Sequence, residues 1–127
     1  MKWACLMLLA SCAETPSAGV VVSTLGLMNI DIVDLYLIDA STGPATCAEL
    51  GTAPVALRED ITIEAYSRLD AGGLATKFSN LGDKKRLVVA EAFSEDATNR
   101  IGFGCAVAPM IERDKATSVI VRVEALP

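Results

Sequence analysis

From Val20 onward the chain is a succession of short apolar stretches punctuated by turn residues, with no convincing helical period. Successive side chains of a strand point to opposite faces, so alternation with period two marks a sheet with one buried side. Residues 32–39 alternate in this way, with Val33, Leu35 and Leu37 on one face and Asp34, Tyr36 and Ile38 on the other. Residues 61–69 repeat the pattern: Ile61, Ile63 and Ala65 stand opposite Thr62, Glu64, Tyr66 and Arg68. Val119, Val121 and Val123 alternate with Ile120, Arg122 and Glu124 near the end.

Other stretches carry weaker signals. Residues 20–25 are β-branched with little alternation, and residues 86–93 are apolar in both phases, which leaves their inward side open. Ile101, Phe103, Cys105 and Val107 share a face. Gly102 and Gly104 lie opposite, on an outer face left bare where another segment crosses closely. Residues 70–73 (Asp-Ala-Gly-Gly) predict a tight connection, so 61–69 and 74–78 read as a β-hairpin. Ala53-Pro54-Val55 reads as a short edge piece, and residues 47–50 fit either a loop or one helical turn.

About seven short strands predict an all-β domain over residues 20–127, a single antiparallel two-sheet sandwich. A length of 127 residues suits one domain, and 52% hydrophobic against 21% charged residues excludes wholesale disorder.

The start of the chain has a different character. Met1-Lys2 is a short positive region, residues 3–9 are apolar, and Leu9-Ala10-Ser11-Cys12 follows. That tetrad resembles the lipobox of bacterial lipoproteins, an aliphatic residue and two small ones before a cysteine. The resemblance implies that residues 1–11 are a signal peptide and that Cys12 becomes the lipidated first residue. Two or three acyl chains there would anchor the protein firmly. Only eleven residues precede Cys12, fewer than the usual 15–30 or so, which implies a minimal signal or an upstream start. Ala13, in place of an aspartate, is similar to the outer-membrane sorting pattern of the family. Residues 12–19 are small, polar and proline-containing, and read as a tether.

If Cys5 leaves with the signal and Cys12 takes lipid, Cys47 and Cys105 remain as a pair in an oxidising compartment. One disulfide between them is expected. The order of strands and this pair resemble immunoglobulin-like or prealbumin-like modules of secreted bacterial proteins, although no tryptophan follows Cys47.

Histidine is absent, which excludes Ser-His-Asp and Cys-His catalysis and histidine-ligated metal sites. No CxxC spacing, P-loop or complete calcium loop is present. No enzyme activity, metal or cofactor is therefore expected. A net charge of -5, with Lys84-Lys85-Arg86 the only basic cluster, argues against a nucleic-acid partner. That cluster reads as a solvated turn.

The candidate partner surface is the outward phase Ile32, Tyr36 and Ile38 together with Tyr66, since aliphatic and tyrosine side chains on a sheet face suit a protein partner. The expected function is a non-catalytic, membrane-anchored module of the cell envelope that binds another envelope protein. The alternative is a carrier or sensor of a small apolar ligand between the sheets, in a cavity lined by Leu35, Leu37, Ile63 and Phe78.

Overall fold

The computed structural model describes residues 17–24, 26–70, 72–79, 81, 84–95, 97–108 and 116–127. Cys12, the signal-like residues and residues 13–16 of the expected tether lie outside them. Ser17, Ala18 and Gly19, read as the end of that tether, belong instead to the first strand of the domain, because they pair on both sides and the first two are buried. Among the described residues eight strands occur, in the order β1 (Ser17–Ser23), β2 (Ile32–Asp39), β3 (Ile63–Asp70), β4 (Ala75–Ser79), β5 (Arg86–Ser94), β6 (Asn99–Ala108), β7 (Ala116–Arg122) and β8 (Glu124–Ala125). Between β2 and β3 come a four-residue helix α1 (Cys47–Leu50) and a 3-10 turn (Val55–Leu57). The strands form a three-stranded sheet, β4-β1-β7, and a five-stranded sheet, β3-β2-β5-β6-β8. The two-sheet sandwich that the alternation predicts is present, and so is the Cys47–Cys105 disulfide.

The core between the sheets comes from the predicted phases. Val33, Leu35 and Leu37 of β2 meet Val20 and Val22 of β1, Phe78 of β4, and Val119 and Val121 of β7. The open phase of β5 is settled by its neighbours: Val88, Ala90 and Ala92 face this core, while Leu87 and Val89 join a second apolar cluster on the outer face. β5 is thus buried on both sides, which is why its sequence shows no clean alternation.

Three features depart from the expectation. First, β3 and β4 are not a hairpin. β3 pairs with β2 and β4 with β1, and the turn after Asp70, closed by the Gly73 amide on the Asp70 carbonyl at 2.9 Å, carries the chain from one sheet to the other. Leu69 and Phe78 enter the same core from the two sheets, so sequence adjacency yields to burial. Second, β1 and β7 run parallel, from Ser17↔Ala116 to Ser23↔Arg122, whereas the other pairs among the described residues are antiparallel. Third, residues 53–55 form no strand, and α1 takes the helical option, its start capped by Thr46, whose hydroxyl accepts from the Glu49 amide at 3.1 Å.

Arg86 is also not the solvated residue expected of a basic turn. It is 1% exposed, and its Nε donates to Glu64 Oε1 at 2.9 Å. Glu64 reaches it from a β-bulge, where the β2–β3 register slips between Leu37↔Ala65 and Ile38↔Ile63. Lys84 closes the cluster, 3.4 Å from Asp39 and 3.5 Å from Glu64. Hydrogen bonds from the Ser41 hydroxyl and amide, more than Lys84, hold the Asp39 carboxyl below its usual range.

The bare glycines of β6 do accommodate a crossing segment, but on the inner face. After β7 the chain passes through Val123 to β8, moving from the small sheet to the edge of the large one. A β-carbon on Gly102 would lie 2.8 Å from Leu27 Cδ1 and from Val123 Cγ1, and one on Gly104 would collide with the Arg122 carbonyl oxygen. Gly104→Ala therefore forces backbone apart. It is expected to cost about 1–3 kcal/mol, the range of overpacked cores, read as a lower urea midpoint with an unchanged m-value.

Candidate binding surface

The outer face of the five-stranded sheet divides into a covered half and an open half. Over the covered half runs the connection between β2 and β3. Leu50 of α1 and Val55 of the turn cluster with Ile38, Leu87, Val89 and Phe103, and Cys47 is bonded to Cys105 of β6 with Cα atoms 5.8 Å apart. Further bonds hold the cover. Glu91, 2% exposed in the middle of β5, accepts from the Val55 amide at 3.2 Å and from Arg100 Nε at 2.7 Å. Arg100 then donates to the Thr52 carbonyl at 2.7 Å while its guanidinium lies 5.2 Å from the Phe103 ring centre. Arg58 reaches the Leu50 carbonyl and pairs with Asp60 at 2.9 Å.

This cover corrects one residue of the expected partner surface. Ile38 is 0% exposed, because the stapled connection buries it among the outer cluster, and it cannot meet a partner. Ile32, at the far end of the same phase, is half-buried beside Asp70 and Phe93. Tyr36 and Tyr66 are brought together: they sit opposite each other in register, with ring centres 5.1 Å apart and planes at 38°.

The sequence reading missed the residues that organise this open half. Asp34 pairs in register with Arg68 on one side and with Glu91 on the other. Its side chain is only 5% exposed, yet Oδ1 accepts from the Tyr66 hydroxyl at 2.8 Å and from Arg68 Nε at 2.8 Å, and Oδ2 accepts from Arg68 Nη2 at 3.0 Å. One carboxylate thus fixes two side chains that are each 49% exposed, the arginine by a two-pronged bond. The available signal was a carboxylate standing inside a largely apolar strand, two positions before Tyr36. Its register with Arg68 is a long-range property that periodicity does not carry.

The electrostatics keep both tyrosines protonated to higher pH than usual. Burial, then the negative charges of Asp34 and Glu91, push the Tyr36 phenol up to about 12 from its ordinary 10.0. Burial and the hydrogen bond to Asp34 also raise Tyr66, and the same carboxylate holds Arg68 further above its already high value. Near neutral pH the surface presents two protonated phenols and a guanidinium cation. Among the described residues, no group of three or more acidic or cysteine side chains gathers to hold a metal ion, and no helix is long and apolar enough to cross a membrane.

A carrier cavity of the expected lining does not form. Leu35 and Leu37 are fully buried in the core with Phe78, while Ile63 is 45% exposed outside it. Two open clefts lie elsewhere. One of about 300 Å³ adjoins Phe103 and Leu126, and one of about 580 Å³ lies among Met28, Asn29, Asp31, Glu95 and Ile101.

The raised Tyr36 value has a consequence for stability. In the unfolded chain the phenol ionises near pH 10, while the folded protein keeps its proton to about pH 12, so the unfolded state binds fewer protons between them. The contribution is fully present below pH 10 and is lost as pH rises towards 12. Alkaline titration followed by tyrosinate absorbance is expected to show one phenol ionising near pH 12, with the melting temperature falling over the same interval. In Asp34→Asn that phenol ionises earlier, because one of the negative neighbours is gone.

No protein family matches the sequence, and no curated protein matches it. Among solved structures, the chain is similar to the major pilin SpaA of Corynebacterium diphtheriae, with a TM-score of 0.51 and 18% identity over 88% of this chain and 31% of the pilin. That structure is described as pointing to a modular pilus assembly stabilizing isopeptide bonds. A DUF4876 family protein from Bacteroides thetaiotaomicron overlaps with a TM-score of 0.41 and 14% identity, over 87% of this chain and 24% of that one. The chain spans less than a third of the pilin's length, and at this identity the likeness bears on fold alone: a β-sandwich.

Proposed function

We propose that this chain is a non-catalytic module of the bacterial cell envelope, anchored by lipid on Cys12, which binds another envelope protein through the open half of the large sheet. The observation that carries the binding role is the pair Tyr66 and Arg68, each half exposed and both fixed on the nearly buried Asp34. Tyrosine and arginine are the residue types enriched where partners bind most tightly. Side chains already held in place lose less freedom on binding, so more of the contact energy appears as affinity.

The anchor reading rests on Leu9-Ala10-Ser11-Cys12, and the position of β1 is compatible with it. Four residues lie between Cys12 and Ser17, a span of at most about 18 Å when extended, so lipid on Cys12 would hold the domain close to the bilayer. Ser17 pairs with Ser79 at the end of β4, and the chain from there to β5 carries Lys84 and the exposed Lys85. Lysines at the end nearest the lipid suit an anionic headgroup layer. Ala13 favours the outer membrane as the destination.

Intact mass of the membrane-fraction protein, before and after reduction, tests the anchor. The expected result is loss of residues 1–11, addition of acyl chains, and a gain of two hydrogens when the disulfide is reduced. An unmodified full-length chain overturns the lipid reading. Crosslinking in intact envelopes tests the binding role: Tyr66→Ala is expected to weaken capture of the partner by about tenfold or more while the melting temperature stays close to that of the parent. Arg68→Ala is expected to weaken capture as much but also to lower the melting temperature, because it strands the Asp34 carboxylate. Undiminished capture by both variants overturns it.

A further inference from the structure

Among the described residues, β3 is the outer strand of the large sheet, paired along one side only, with β2. Which of its main-chain groups face outward follows from register. The Ala40 amide donates to the Lys85 carbonyl at 3.0 Å on the β5 side, and the Asp39 amide donates to the Thr62 carbonyl at 2.9 Å on the β3 side. Main-chain groups alternate sides along a strand, so odd-numbered β2 residues bond to β3 and even-numbered ones to β5. The β3 partners of Leu37, Leu35 and Val33 are Ala65, Ser67 and Leu69. These three turn their N–H and C=O groups towards β2, and Tyr66 and Arg68 turn theirs to the open edge.

The same two residues therefore carry both the fixed side chains of the candidate surface and the outward main-chain groups. The devices that usually blunt an edge are weak at this point. β3 contains no proline, its bulge lies at the Glu64 end with that carboxylate occupied by Arg86 and Lys84, and Arg68 is folded down onto Asp34. An edge of this kind is complementary to an extended backbone, and the N–H groups of Arg68 that Asp34 does not take are complementary to a carboxylate.

We propose that β3 is a strand-addition site, where an extended segment of the partner protein bonds to the main chain of Tyr66 and Arg68 and places an acidic side chain over Arg68. The proposal rests on the reading of the Tyr66 face as the partner surface, and specifies the form and charge of what docks there.

Residue-resolved hydrogen exchange on the full chain tests it, comparing the purified protein with the protein labelled in its native envelope. In the purified protein the amides of Ala65, Ser67 and Leu69 are expected to exchange slowly and those of Tyr66 and Arg68 fast. In the envelope, the Tyr66 and Arg68 amides are expected to slow by at least tenfold. If they remain fast there while Tyr66→Ala still loses its crosslinks, the partner docks through side chains alone; strand addition is overturned and the binding role survives. If both amides are already slow in the purified protein and become fast on dilution, a second copy occupies the edge, and the proposal of a separate partner is overturned.

Discussion

The large sheet is apolar on its inner face and on half of its outer face, and much of the architecture answers that condition. Burying apolar surface stabilises by roughly 25 cal/mol per Å², so a strand such as β5, with Val88 and Ala90 on one side and Leu87 and Val89 on the other, gains fully only if both sides are covered. The small sheet covers one. The other cover is a connection whose regular structure amounts to a four-residue helix and a 3-10 turn, far below the length at which helices hold themselves together in water. It stays in place through cross-links: the Cys47–Cys105 bond, Glu91 to the Val55 amide, Arg100 to Thr52 and Arg58 to Leu50. The disulfide, closing a separation of 58 residues, stabilises by roughly 4 kcal/mol in the chain-entropy account.

Two neighbouring carboxylates separate the covered half of this face from the open half. Asp34 and Glu91 are directly paired across β2 and β5, both nearly buried, and each is matched by an arginine. Removing either arginine would leave a carboxylate charge with little water to stabilise it. Glu91 spends its second interaction on the cover, and Asp34 spends its own on Tyr66. The same chemistry thus pins a loop on one strand and prepares a surface on the next.

The inward phases of β2 and β7 were legible because alternation reports burial on one side, and Val33, Leu35, Leu37, Val119 and Val121 are where it placed them. Alternation says nothing about which strands are neighbours. β3 and β4 are adjacent in sequence yet join different sheets, and the parallel partnership of β1 with β7 has no local signature. The helical turn at Cys47 had one: Thr46 followed three positions on by Glu49 is the sequence pattern of a helix start, and the Thr46 hydroxyl does accept from the Glu49 amide at 3.1 Å. In the candidate site, Tyr36 and Tyr66 were readable as outward residues. Ile38 shares their phase but is hidden by a connection whose path depends on the disulfide, and Asp34 and Arg68 matter only because of a pairing set by the whole sheet.

The parallel pairing of β1 and β7 joins the first strand of the domain to its last long one. Positions 17 and 116 stand side by side, so the central strand of the small sheet lacks one of its two neighbours until almost the whole chain is available. Contacts so distant in sequence demand loop closure before they yield any stabilisation, and they slow folding. A chain that emerges N-terminus first therefore cannot complete this sandwich while its C-terminal strands are still being delivered. Until then the inner face of β1 has only part of its cover, and the order of delivery becomes part of how the domain is made.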